Sequence, residues 1–290
     1  MSKLPFGPTG VSVVRVGQGT WQMEHTPSGG VTRSDHRAGC VAALRRGLDL
    51  GMTHVDTAEM YGDGAVETLV GEALRGRRDE VFLVSKVLPW HASRRGTVQA
   101  CEKSLARLGT DHLDVYLLHW PGEVPLEETI AGFEDLRRAG KIRAWGVSNF
   151  DEDDLARAVR LAGPGRVACN QVLYHLGERS IEHAVLPACE RHGVALVGYS
   201  PFGSGDFPRP ATAGRRVLDE IAAAHGATAY RVALAFLVRR APLFTIPKAA
   251  QLGHVEDDAA AEGLALSAEE LARIDAAFPL GRPRRGVATL

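Results

Sequence analysis

The feature that most constrains this chain is an alternation. Short apolar runs of strand length, each followed by a segment whose apolar residues recur at helical spacing, appear eight times at intervals of roughly thirty residues. The runs fall at residues 11–16, 53–56, 81–86, 113–119, 142–147, 166–170, 194–199 and 243–247. Between them stand helical patterns such as Val41, Leu44 and Leu48, or Leu126, Ile130, Phe133 and Leu136, and Asp151 is placed to cap the helix after the fifth run. The first run leads into Gly17-Gln18-Gly19-Thr20-Trp21 and a Gly/Ser/Pro loop before its helix. Eight strand–helix units specify an α/β fold, the (β/α)8 or TIM barrel, expected here as a single domain over 1–290. A short N-terminal β-hairpin and an extra C-terminal helix are expected to flank the eight units.

The competing α/β architecture, a doubly wound dinucleotide-binding sheet, needs G-x-G-x-x-G where the first strand meets its helix. Gly17-Gln18-Gly19-Thr20-Trp21-Gln22 lacks the third glycine, and the long loop after it keeps a pyrophosphate away from any helix terminus. No P-loop and no H-E-x-x-H occurs.

Composition removes other classes. With 45% hydrophobic and 24% charged residues the chain has what a single large core needs, so disorder and coiled coil are set aside. A net charge of -1 with dispersed basic residues leaves no footprint for nucleic acid. Residues 1–7 lack a signal-peptide pattern and no apolar run is long enough to span a bilayer, so the expected address is the cytoplasm, without membrane attachment. Cys40, Cys101, Cys169 and Cys189 show neither C-x-x-C pairing nor histidines at ligand spacing, and they read as reduced, buried thiols with no metal site.

Barrel enzymes do their chemistry where strands end and the following loops begin. Polar residues fall there repeatedly: Asp56 after the second strand, Lys86 the third, His119 the fourth, Ser148-Asn149 the fifth, Gln171 the sixth, Tyr199-Ser200 the seventh and Lys248 the eighth. Each alone has an ordinary explanation as a solvated or capping group, but seven on one rim form a site. A phenol titrates near ~10, too high to help at neutral pH, and a neighbouring ammonium favours the phenolate. Lys86 is the expected ammonium, lowering the value for Tyr61, which lies five residues beyond Asp56. Asp56 would keep the lysine charged and pointed, and His119 would hydrogen-bond and polarise a carbonyl.

Gly19-Thr20-Trp21, Val55-Asp56-Thr57-Ala58-Glu59-Met60-Tyr61, Leu83-Val84-Ser85-Lys86, Tyr116-Leu117-Leu118-His119-Trp120-Pro121, Gly140 through Phe150, Asn170-Gln171-Val172, Tyr199-Ser200-Pro201 and Ile246-Pro247-Lys248 carry a resemblance along essentially the whole chain. The sequence resembles the aldo-keto reductase family, and that family's Asp, Tyr, Lys, His tetrad falls on Asp56, Tyr61, Lys86 and His119. The resemblance implies that Tyr61 protonates the oxygen of a carbonyl reduced by a nicotinamide, with His119 orienting it and no metal taking part. It implies that Tyr199 stacks on the nicotinamide and that Ser148, Asn149 and Gln171 hold its carboxamide. Gly19, Thr20 and Trp21 would border the cofactor, and the segment Ser200-Pro201-Phe202-Gly203-Ser204-Gly205-Asp206 would strap over its pyrophosphate, engaging Ser200, Phe202 and Ser204.

One region departs from the commoner family pattern. After Lys248, where many members carry Ser and later Arg against the 2′-phosphate of NADPH, this chain has Ala249 and His254, followed by Asp257 and Asp258. A histidine does not replace the charged, bidentate fork of arginine. NADPH is still expected over NADH, because Lys248 remains.

Trp21, Trp90 and Trp120 are the expected substrate walls. The resemblance is strongest to bacterial members that reduce methylglyoxal and similar small aldehydes, so a small carbonyl compound is the expected partner and a monomer the expected state. The closing residues, with Arg282, Arg284 and Arg285 among Pro and Gly, read as a short solvated tail that leaves the site open. Two rival readings are a non-catalytic nicotinamide-binding barrel acting as sensor or partner subunit, and a barrel enzyme acting on phosphorylated substrates. The first calls for a missing tetrad residue, and none is missing. The second leaves Tyr61, Lys86 and His119 without a joint role.

Overall fold

A computed structural model describes residues 3–25 and 33–290. The Gly/Ser/Pro loop at 26–32 and the first two residues of the amino-terminal segment lie outside the described residues.

Two short strands, β1 (Lys3–Pro5) and β2 (Ser12–Val14), pair antiparallel as the N-terminal hairpin. Then β3 (Gln18–Gly19) and α1 (Arg33–Asp49), β4 (His54–Asp56) and α2 (Ala65–Leu74), β5 (Phe82–Val87) and α3 (Arg94–Leu108), β6 (Leu113–Leu118) and α4 (Leu126–Arg138) alternate. The second half continues with β7 (Ile142–Ser148), α5 (Glu152–Ala162), β8 (Val167–Leu173), α6 (Val185–His192) and β9 (Ala195–Tyr199). Two helices, α7 (Ala213–His225) and α8 (Ala229–Leu237), precede β10 (Leu243–Ile246), and α9 (Leu252–Ala260) and the extra C-terminal α10 (Ala268–Ala277) follow it.

Strands β3 to β10 pair in parallel in sequence order. The ring closes between its ends: Gly17 N donates to Thr245 O and Gly19 N to Pro247 O, both at 2.8 Å, and Val16 bridges Thr245. A side chain at position 19 would collide with the Ile246 carbonyl, its Cβ standing 2.5 Å from that oxygen, so glycine is what lets the seam close. The strands are buried on both faces, every residue of β5, β6 and β8 being buried, because barrel interior and helical jacket both cover them. The expected cap on α5 is present, the Asp151 side chain accepting from the backbone N–H of Asp153 and Asp154, and on α10 the structure adds a capping box of Ser267 with Glu270.

The first apolar run is the one strand placed differently from its reading. Val13 and Val14 belong to the hairpin, whereas the first barrel strand is the two-residue Gln18–Gly19. It is recruited by the seam bonds and by Gln18 Nε2 donating to Met52 O at 2.9 Å, not by apolar burial, so no hydrophobic pattern marks it. The hairpin turn plugs the amino-terminal end of the barrel. Phe6, fully buried, packs on His54, Phe82 and Phe244, and Gly7 lies so close beneath Ala168 O that a Cβ would stand 2.1 Å from it.

Candidate active site

Inward-pointing residues alternate along each barrel strand. Phe82 and Val84, Val115 and Leu117, Ala195 and Val197, and Phe244 and Ile246 share the apolar interior cluster. The next inward positions, at or just past the carboxyl ends, are Lys86, His119, Tyr199 and Lys248, joined by Asp56 two residues beyond His54 and Gln171 two beyond Cys169. The polar groups are thus the top layer of the barrel's own core.

Lys86 is completely buried and Asp56 is 1% exposed. Lys86 Nζ donates to Asp56 Oδ1 at 2.5 Å, to Thr57 O at 2.9 Å and to the Tyr61 hydroxyl at 3.3 Å, three bonds that use the three protons of an ammonium. Burial works against the Lys86 charge, but Asp56 and Tyr61 outweigh it and hold its pKa above the ordinary lysine value. Burial holds the Asp56 carboxyl above its ordinary value, and Lys86 and the Gln171 amide recover only part of that rise. For Tyr61 the expected lowering is reversed. Burial raises the phenol's pKa, and the Lys86 ammonium recovers only part of that rise, because the ring is enclosed and Asp56 opposes the lysine. Tyr61 is therefore a phenol at neutral pH. Since its oxygen accepts from Lys86, its own O–H is free to donate into the cavity.

The His119 ring lies 5.9 Å from that of Tyr61, centroid to centroid. Burial, reinforced by Lys86, drives its pKa well below the usual imidazole range, so it is neutral. Its Nδ1 is buried without a partner, which leaves Nε2 as the nitrogen that can serve a ligand. Around them, Asn149 Nδ2 donates to His119 O at 3.0 Å, the Tyr199 hydroxyl donates to Asn149 Oδ1 at 2.9 Å, and Ser148 Oγ donates to Gln171 O at 2.8 Å.

These groups open onto a cavity of about 600 Å³, lined among others by Gly19, Thr20, Trp21, Asp56, Tyr61, His119, Trp120, Ser148, Asn149, Gln171, Tyr199, Ser200 and Lys248. Lys248 is exposed at its edge. Trp90 does not line the cavity. It is 64% exposed and reaches it only by edge contact with Trp120, at 5.7 Å between centroids. Phe202, Ser204, His254, Asp257 and Asp258 lie outside the lining as well. Phe202 packs edge-on against Phe207 and Tyr230, Asp257 is paired with Arg231, and His254 is exposed. Asp258 is buried, its carboxyl pushed up to about 8 by burial and by Asp257.

The tail differs from its expected position. Val287, Thr289 and Leu290 fold back into the cavity wall, and Ala288 is 8% exposed, so the terminus narrows the site. Met60, Pro121 and Ile246 also line it, beyond the residues expected from the sequence. Ile246 is within reach of the alternation, standing two residues before Lys248, whereas nothing local in the tail marks its destination.

The model of the aldo/keto reductase family matches residues 15–278. The chain is 48% identical over 269 residues to methylglyoxal reductase YeaE of Escherichia coli, covering 93% of this chain and 92% of that one. Among solved structures, an aldo/keto reductase from Klebsiella pneumoniae in complex with NADP and acetate is 43% identical, with a TM-score of 0.90 and 99% of both chains covered. An aldo-keto reductase from the same organism in complex with NADPH superposes equally well, over 100% of both chains. With its parallel barrel, its buried Lys86–Asp56 pair beneath Tyr61 and these relatives, this chain belongs to the aldo/keto reductase family.

Proposed function

We propose that this chain reduces small 2-oxoaldehydes of the methylglyoxal type, with NADPH as hydride donor, Tyr61 as proton donor and His119 as the group that orients the carbonyl. The observation that carries the reading is the continuous Asp56–Lys86–Tyr61 contact beneath an open cavity that His119 also faces. The methylglyoxal reductase from Escherichia coli among the relatives supports the substrate class.

The residues present fit the cofactor. Tyr199 presents a ring beside the Ser148, Asn149 and Gln171 polar groups, and Lys248 offers an ammonium at the cavity edge. When bound, NADPH supplies a hydride to the carbonyl carbon. Tyr61 gives its O–H proton to the carbonyl oxygen as the C=O π pair moves there, and the alcohol leaves. The phenolate left behind is stabilised by the Lys86 ammonium, whose charge Asp56 secures. Neutral His119 donates from Nε2 to the same oxygen, fixing the carbonyl for attack. Trp21 and Trp120 wall the substrate side, and Gly19, Thr20 and Ser200 border the cofactor.

The test is turnover of the purified protein followed by NADPH absorbance. Methylglyoxal and simple aromatic aldehydes should be consumed. No change with either, alongside turnover of a sugar or steroid, refutes the substrate class, and equal or better rates with NADH refute the cofactor preference. The same reading places the enzyme in the cytoplasm as a monomer. Four buried, unpaired cysteines support the reducing setting, and light scattering at working concentration tests the monomer.

A further inference from the structure

One contact at the cavity floor is not required by cofactor binding. Gln171 stands on β8, and β5, β6 and β7 separate it from β4 in the sheet, so the two strands face each other across the barrel. Yet Gln171 Nε2 donates to Asp56 Oδ2 at 2.7 Å, while Lys86 holds the other oxygen of that carboxylate. Both side chains are buried, Gln171 at 2% and Asp56 at 1% exposure. The backbone behind the glutamine is itself fixed, its carbonyl accepting from Ser148 Oγ and from Asn149 N, each at 2.8 Å.

A buried carboxylate is tolerated when its lone pairs are answered, and the penalty is steep when one partner is lost. The groups facing Asp56 are Lys86 on β5, Tyr61 on the loop after β4, Cys169 and Gln171 on β8, His54 on its own strand and His119 past β6. His54 and His119 are neutral, burial raises the Cys169 thiol and the Tyr61 phenol, and so Lys86 is the one cation among them. We propose that Gln171 is a positioning residue for proton transfer: its amide N–H holds Asp56 in the geometry that keeps Lys86 pointed at the Tyr61 oxygen. Its consequence for turnover rests on the reductase reading, whereas the contact belongs to the free protein. The glutamine Oε1 stays available to accept an N–H from a bound carboxamide, so one planar amide links the cofactor pocket to the proton-donating chain.

The experiment is a pH titration of aspartate side-chain carboxyls by 13C NMR in cofactor-free protein, with Asp56→Asn assigning the signal. In Gln171→Leu the Asp56 midpoint should rise by about one pH unit, the effect of removing one hydrogen bond to a charged acceptor. The acid limb of single-turnover reduction at saturating NADPH should move up with it. Ser148→Ala should weaken NADPH binding and leave the midpoint in place, because Asn149 N still holds the Gln171 carbonyl. If Gln171→Leu does not fold, Gln171→Met and Gln171→Asn, the latter too short to span the barrel, serve in its place. An unmoved Asp56 midpoint in the folded variants overturns the proposal. A wild-type chain that reduces no carbonyl, while the midpoint still moves, overturns the functional reading and leaves the positioning contact standing.

Discussion

At the amino-terminal end of the barrel, Phe6 closes the interior against His54, Phe82 and Phe244, with ring centroids 5.6, 4.8 and 5.0 Å away. At the carboxyl-terminal end of the barrel, the inward positions of β4 and β5, the one just past β6 and one on β8 hold Asp56, Lys86, His119 and Gln171, an equally buried layer made of charge and hydrogen bonds. The backbone differs in the same sense. All six described non-glycine residues with positive φ (Gln22, Asp63, Asn149, Ser200, Ser204 and Ala211) sit in loops that leave the carboxyl ends of strands. Strained backbone and buried charge cost stability, and the apolar floor supplies it. The comparison teaches that one sheet separates the two demands by height along its strands.

Four experiments break or sharpen that contrast. Tyr61→Phe, at the mouth, should lower carbonyl reduction about a thousandfold while NADPH binding, followed by fluorescence, changes little. Equal loss of both would move Tyr61 from proton transfer to binding. Phe6→Ala, at the floor, should destabilise the protein by about 3–5 kcal/mol in urea unfolding and leave kcat unchanged at temperatures where the variant is folded. A fall in kcat with stability intact would erase the division between the ends.

Lys248→Met should raise the NADPH Kd about tenfold with no change for NADH, the loss of one charge-assisted contact. Equal weakening of both cofactors would remove Lys248 from the discrimination. The smallest effect concerns acid stability. Burial and the Lys86 charge push the His54 pKa down to about 3, so the folded state binds fewer protons than the unfolded chain, whose imidazole titrates near 6.5. The stability this histidine contributes is whole above about 6.5 and is lost as pH falls toward 3, at up to about 1.4 kcal/mol per pH unit. His54→Phe should flatten that part of the decline between pH 7 and 5. An unchanged slope would show that the floor takes no part in it, leaving His119, whose shift has the same sign, as the mouth's own contribution.

Much of this architecture is legible in the order of the residues. Lys86, His119, Tyr199 and Lys248 stand two residues beyond apolar inward positions, so a period of two carried through the end of each strand locates the polar layer. Asp151 announces its helix by chemistry alone, a short acceptor ahead of an amphipathic run. What is not legible lacks a local pattern. The two-residue strand Gln18–Gly19 is defined by its neighbours' hydrogen bonds, and the tail at 287–290 by the cavity it folds into. Trp90 reads as substrate wall on residue type, but exposure is a property of the assembled surface.

The sequence by itself determined the barrel, the family and the identity of the polar groups at its mouth, because periodicity and residue type are local and survive without coordinates. Only the tertiary structure decided that Gln171 reaches Asp56 across the barrel, that burial outweighs Lys86 in the titration of Tyr61, and that the tail narrows the cavity. Each of these depends on distances between segments far apart in the chain, and on how much water their meeting excludes.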